Sequence, residues 1–177
     1  MSEKLHYNEK SYKIILIGSS AIGKTSLCHK IQNREFHDEM PITIGVDFMT
    51  LKLTDYDKFT QFEDIYNIQL WDTAGHEKFC AITKAYYRNS NIVLLCFDLT
   101  SRGSFIELNK WMEDIKSIIE EPVYICLMGL KSDLEPIITD KEITEFLNKH
   151  LITTFYRYSS KKAKNKKTIE AILINAI

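Results

Sequence analysis

Three short apolar runs stand out from an otherwise polar chain, at 14–17, 92–97 and 123–128. Branched side chains dominate them and polar or turn-forming residues bound them, which predicts strands buried on both faces. With its flank the first strand covers 12–17. Two less regular stretches, 46–53 and 65–71, predict a strand pair joined by the acidic, aromatic segment 55–63. A final strand is read at 152–158, where β-branched and aromatic residues gather. Helices are predicted at 24–31, 104–119 and 168–176. Another is capped by Thr139 or Asp140 and runs to His150, with Glu142 in its first turn. Segment 77–88 reads as an irregular helix. Segment 33–44 lacks periodicity, contains Pro41 and reads as a long loop of the kind that carries function. This order predicts an α/β fold: a mostly parallel mixed sheet with one antiparallel edge hairpin and helices on both faces. Residues 1–11 read as a short polar arm and 12–177 as one domain.

The chemistry sits where the first run ends. Gly18, Ser19, Ser20, Ala21, Ile22, Gly23, Lys24 and Thr25 spell G-x-x-x-x-G-K-[ST] between a strand and a helix. The glycines let the loop turn so that backbone N–H groups from Ser19 to Ser26 form a cup for phosphate oxygens. The helix dipole adds to the same anion site. Lys24 can reach the β- and γ-phosphates, and the Thr25 hydroxyl can bind Mg²⁺. Asp72 closes the strand at 65–71, ahead of Gly75, and can hold the same Mg²⁺. Gly75 leaves room for a backbone N–H beside the γ-phosphate. Thr43, in the long loop, can supply a second hydroxyl and so couple that loop to the γ-phosphate.

Composition narrows the function. The chain has 177 residues, 45% hydrophobic and 27% charged, with a net charge of -1. That balance gives no footing for nucleic acid as main partner. Cys28, Cys80, Cys96 and Cys126 form no CxxC pair and read as reduced thiols, which points to the cytosol. There is no signal-peptide pattern and no apolar run of membrane-spanning length.

In this order, the motifs resemble the Rab family of small GTPases within the Ras superfamily. They are Gly18 to Thr25, the string IGVDF ending at Phe48, WDTAG ending at Gly75, YYR at Tyr86, Tyr87 and Arg88, and CFDLT ending at Thr100. The resemblance implies a Mg²⁺-dependent switch cycling between GTP and GDP in vesicle traffic, with 33–45 and 75–88 as moving segments. It implies that Phe36 packs against guanine, that Lys131 and Asp133 read the base, and that Ser159, Ser160 and Lys161 form the second base loop. It implies effectors at Phe48, Trp71 and Tyr86, exchange and GTPase-activating proteins as further partners, and a monomer.

Two positions depart from the family. His76 stands where Rab proteins carry the glutamine that orients the attacking water, which predicts slow intrinsic hydrolysis that a partner can rescue. Leu130 replaces the asparagine of N-K-x-D. The catalytic set is therefore His76 with Lys24 and Gly75, and guanine preference is expected to survive weakened. The competing reading is a nucleotide-holding scaffold without useful turnover, which can be one module of a longer chain; an ATP-using enzyme is disfavoured by Asp133. Two expectations concern the periphery. The hairpin between Phe48 and Trp71 is longer than Rab proteins usually carry. No C-terminal cysteine is present to take a prenyl anchor, so membrane attachment would need a tail beyond Ile177.

Overall fold

A computed structural model describes residues 7–32, 34–38, 40–57, 62–163 and 167–176. Among these, six strands form one sheet: β1 (Tyr7–Ile17), β2 (Val46–Asp57), β3 (Phe62–Thr73), β4 (Ile92–Asp98), β5 (Tyr124–Leu130) and β6 (Thr154–Tyr158), in the order β2-β3-β1-β4-β5-β6. Only β2 and β3 pair antiparallel; the other neighbours are parallel. Helices α1 (Lys24–Ile31), α2 (Cys80–Lys84), α3 (Arg102–Ile106), α4 (Leu108–Ile118), α5 (Asp140–His150) and α6 (Lys167–Ala176) surround it. The α/β fold with one antiparallel edge pair is the one expected.

The apolar runs serve two cores at once because successive strand residues face opposite ways. Ile14, Leu16, Ile92, Leu94 and Cys96 join Leu27, Ile31, Ile169 and Leu173 on the face covered by α1 and α6. Ile15, Ile17, Val93, Leu95 and Phe97 join Leu108, Trp111, Met112 and Ile143 on the face covered by α4 and α5. Cys28, Cys96 and Cys126 are buried free thiols. Burial raises the pKa of Cys126 to about 12 and pushes those of Cys28 and Cys96 up as well.

Several boundaries differ from the sequence expectation. β1 starts at Tyr7, so residues 7–11 belong to the sheet and not to a loose arm. They pair in parallel with β3, from Tyr7 opposite Glu63 onward. This end of β1 is polar, and ladder bonds plus contacts such as Asn67 to Glu9 hold it, so no apolar pattern marks it. β2 and β3 likewise extend through much of the acidic segment expected as a connection. The helix expected over 104–119 begins at Arg102, where Ser101 accepts from the Ser104 N–H, and is divided at Glu107. Segment 77–88 resolves into one 3₁₀ turn, Glu77–Phe79, and α2, without continuing to Arg88. The readings at 1–6, 58–61 and Asn33 lie outside the described residues. Of the two caps expected for α5, Thr139 is the one used, and Glu142 does more than meet the helix dipole: it completes a capping box, with Thr139 accepting from the Glu142 N–H and Glu142 accepting from the Thr139 N–H.

Candidate functional site

The carboxyl ends of β1, β3, β4 and β5 converge on one mouth of the sheet, where open α/β sheets take their ligands. There lies a cavity of about 350 Å³, bordered by Ser20 to Ser26, Phe36, Thr43, Gly75, Leu130, Lys131, Asp133, Ser160 and Lys161. The sequence-expected residues are thus largely brought together. Ser19 is turned away: its hydroxyl donates to Glu107, leaving only its backbone to the loop.

Gly23 stands at the N-cap of α1 with φ of 105° and no side chain to cap the helix, so the first N–H groups of α1 are left for an anion. Lys24 is buried beside them. Its ammonium donates to the carbonyls of Gly18 (2.8 Å) and Ser19 (2.7 Å), holding the loop closed around the side chain. Burial lowers its pKa, while the nearby Asp72 charge opposes that shift. Gly75 packs so tightly on the backbone of Gly18 and Ser19 that any Cβ would overlap them.

Three oxygens meet beneath the cavity. The Thr25 hydroxyl donates to one Asp72 oxygen at 2.6 Å and lies 2.7 Å from the Thr43 hydroxyl. The other Asp72 oxygen, Oδ1, is buried and has no hydrogen-bond partner among the described residues. Asp72 is 1% exposed, and burial raises its pKa against the lowering effect of the Thr25 bond. A desolvated carboxylate with a spare oxygen, flanked by two hydroxyls, is a hard-oxygen set that suits Mg²⁺. The residues present therefore fit that ion.

At the other end, Asp133 accepts from the Ser159 hydroxyl at 2.6 Å, and Ser159 in turn accepts from the Lys162 N–H. Ser159 thus orients the carboxylate and does not border the cavity itself. Lys161 sits 5.7 Å above the Phe36 ring and pairs with Asp38 at 2.7 Å, joining the base end to the long loop. Lys131 spans to the Ala21 carbonyl. Leu130 is buried in the core on the α1 side, close enough to Gly23 that a Cβ there would come into ordinary van der Waals contact with it.

His76 does not border the cavity. Its ring lies edge-on to Phe79, at 6.2 Å, and its Nδ1 accepts from the Lys78 N–H. Outside the cavity, the Trp71 ring packs at a tilt against Phe48, centroids 4.7 Å apart, and against Tyr86 at 5.3 Å. Ile44, Ile42 and Ile82 are also exposed, with Ile44 at 80%. Sequence reasoning missed Asp38, Glu107 and any role for Asp98. Asp98 carried a usable signal, since it ends an apolar strand as Asp72 does; Asp38 and Glu107 carried none.

Comparison with known proteins agrees with this geometry. Residues 13–177 match the Ras family model. The chain is 37% identical to Ras-related protein Rab-32D of Dictyostelium discoideum, over 93% of this chain and 72% of that protein. It is 34% identical to Ras-related protein RABA4d of Arabidopsis thaliana, over 97% of this chain and 76% of that one. It is 33% identical to the Ras and EF-hand domain-containing protein of Xenopus tropicalis, over 97% of this chain but 24% of that longer protein. A phosphate loop, an acid with a spare buried oxygen and a family match along nearly the whole chain lead to one conclusion: this protein belongs to the Ras family and is a divergent Rab-like small GTPase.

Proposed function

We propose that the chain is a Mg²⁺-dependent guanine-nucleotide switch acting in vesicle traffic, with slow intrinsic hydrolysis. The observation that carries it is the meeting of Thr25, Thr43 and Asp72, with Asp72 Oδ1 buried and unpaired. Bound there, Mg²⁺ would offset phosphate charge. The α1 N-terminus and the loop amides bind the phosphates, and Lys24 exchanges its carbonyl partners for phosphate oxygens. Thr43 ties the segment 34–45 to the site while a γ-phosphate is present, and loss of that phosphate releases it. Asp133 accepts guanine N–H groups, the Ser160 N–H faces the carbonyl edge, and the stems of Lys131 and Lys161 flank the ring with Phe36.

The Phe48, Trp71 and Tyr86 cluster, with Ile44 and Ile82 exposed, supports an effector surface next to the moving segments. Exchange and GTPase-activating proteins are the further partners, the chain itself being monomeric. Membrane contact would be on the cytoplasmic face of vesicles; no described helix is long and apolar enough to cross a bilayer.

His76 sits outside the cavity, which supports slow turnover until a partner repositions its ring. Single-turnover GTP hydrolysis by wild type and His76→Gln tests this. The glutamine variant should be faster by about tenfold, a modest share of what positioning a reactant can supply. Equal rates would remove His76 as the cause of slowness. A second reading, a nucleotide-holding scaffold without turnover, is favoured by the same placement of His76 together with Leu130. It predicts tight GTP binding with no hydrolysis in either variant.

A further inference from the structure

Asp98 ends β4, much as Asp72 stands one residue before the end of β3, and the switch chemistry above leaves it unused. Its side chain is only 7% exposed. One carboxylate oxygen accepts from the Thr100 N–H at 2.8 Å and from the Thr100 hydroxyl at 2.7 Å. The Asp98 backbone is pinned as well: its N–H donates to the Ser104 hydroxyl at 3.0 Å, and its carbonyl accepts from the Ser101 N–H. These bonds fix the carboxylate in place and leave its second oxygen, Oδ2, for one partner. That partner is the ammonium of Lys131, at 2.7 Å.

Lys131 needs such an anchor. It follows Leu130, whose buried side chain has no polar atom to tie this loop to its neighbours. Its own backbone is in the left-handed region, with φ of 59°. Its side chain is 38% exposed, long and free to wander if untethered. Held by Asp98 on one side, the ammonium donates to the Ala21 carbonyl of the phosphate loop at 3.1 Å on the other. The stem thereby spans the wall of the cavity between its base and phosphate ends. An ion pair between two mobile surface groups contributes little. Here one partner is buried and already fixed by two other donors, so little freedom is lost in making the bond.

We propose that Asp98 is a positioning residue for nucleotide retention: it locks Lys131 across the cavity. Asp98 touches no nucleotide and acts through Lys131. The inference rests on the guanine-nucleotide reading above and adds to it the residue that sets the lifetime of the bound state.

The test is dissociation of fluorescent GDP, in Mg²⁺, from wild type, Asp98→Asn, Lys131→Met and the double variant. Asparagine keeps the oxygen that accepts from Thr100 and removes the charge that holds Lys131. Dissociation should quicken about tenfold, the worth of one charge-assisted hydrogen bond. Lys131→Met should quicken it comparably, and the double variant no more than Lys131→Met alone, because the two act as one unit. An unchanged rate in Asp98→Asn overturns the proposal. So does a double variant whose acceleration is the product of the two single effects, since Asp98 would then act by general stability and not through Lys131. Should Asp98→Asn not fold, Asp98→Glu, which moves the charge by one methylene, enters the same cycle with the same readings. A wild-type chain that retains no GDP overturns the guanine reading and this inference with it. Retention by wild type with no response to Asp98 overturns this inference alone.

Discussion

Gly75→Ala probes the closest backbone approach in the site. The added Cβ would fall well inside 3.0 Å of the Ser19 carbonyl carbon and of the Gly18 and Ser19 carbonyl oxygens. All three are backbone atoms, so no rotamer change relieves the overlap. The phosphate loop has nowhere to retreat, because Gly18 is itself pressed against the Cys96 carbonyl of β4. The turn after β3 must give way by about 0.5–1 Å, a gap that forfeits a quarter to a half of the attraction of the contacts it opens. Overpacking of this kind costs about 1–3 kcal/mol. At about 2–4 °C per kcal/mol for a chain of this size, the melting temperature should fall by about 2–12 °C. The larger consequence is positional, since Asp72 lies three residues before Gly75, at the end of β3 that leads into this turn. A misplacement of about 1 Å can cost about a hundredfold where geometry carries the effect. Hydrogen exchange of segment 40–45 with GDP and with a non-hydrolysable GTP analogue reads this directly. Wild type should gain protection with the analogue, and Gly75→Ala should gain little while still binding GDP. A variant with wild-type melting and wild-type protection would refute the crowding argument.

Asp72→Asn should abolish the dependence of GTP affinity on Mg²⁺, measured by titration with and without a chelator, while leaving the fold intact. Burial raises the Asp72 pKa, so the folded state binds its proton more tightly than the unfolded chain does. In chelator, Asp72 therefore removes stability as pH rises from the ordinary carboxylate value through the raised one. The difference in melting temperature between Asp72→Asn and wild type should grow over that window, and a difference flat from pH 4 to 7 would contradict it. Thr139→Ala removes one half of the α5 capping box and should cost about 1 kcal/mol in a denaturant melt. Glu142 has its pKa lowered to about 2, first by the Thr139 N–H and then by the Thr139 hydroxyl. Its contribution is present above the ordinary carboxylate range and is lost as pH falls towards 2, so Glu142→Gln should destabilise at pH 7 and be nearly silent near pH 2.

Much of this was legible in the sequence for identifiable reasons. The runs at 14–17 and 92–97 are apolar on both faces, which leaves few alternatives to central strands. The phosphate loop is a local motif, so its residues, Thr25 and the strand-end Asp72 could be read without tertiary information. What stayed hidden depends on distant partners. Residues 7–11 of β1 are polar and become a strand only by pairing with β3. The division of the third helical segment at Glu107 coincides with the bond from Ser19, 88 positions away. The Asp98–Lys131 and Asp38–Lys161 pairs likewise join residues far apart in sequence. The sequence marks His76 as a substitution, while only the packed turn shows its ring against Phe79 and outside the cavity.

Competition between fluorescent GDP and unlabelled GDP, GTP or ATP, in Mg²⁺, tests the guanine switch most directly. On the proposed guanine reading, Asp133, which Ser159 orients, would accept N–H groups that adenine does not present in that arrangement. Leucine at 130 is expected to weaken affinity by about 1–3 kcal/mol, roughly ten- to a hundredfold, without removing Asp133. GDP and GTP should displace the probe, with ATP weaker by at least about tenfold. Displacement by ATP as effective as by GTP would contradict the assignment.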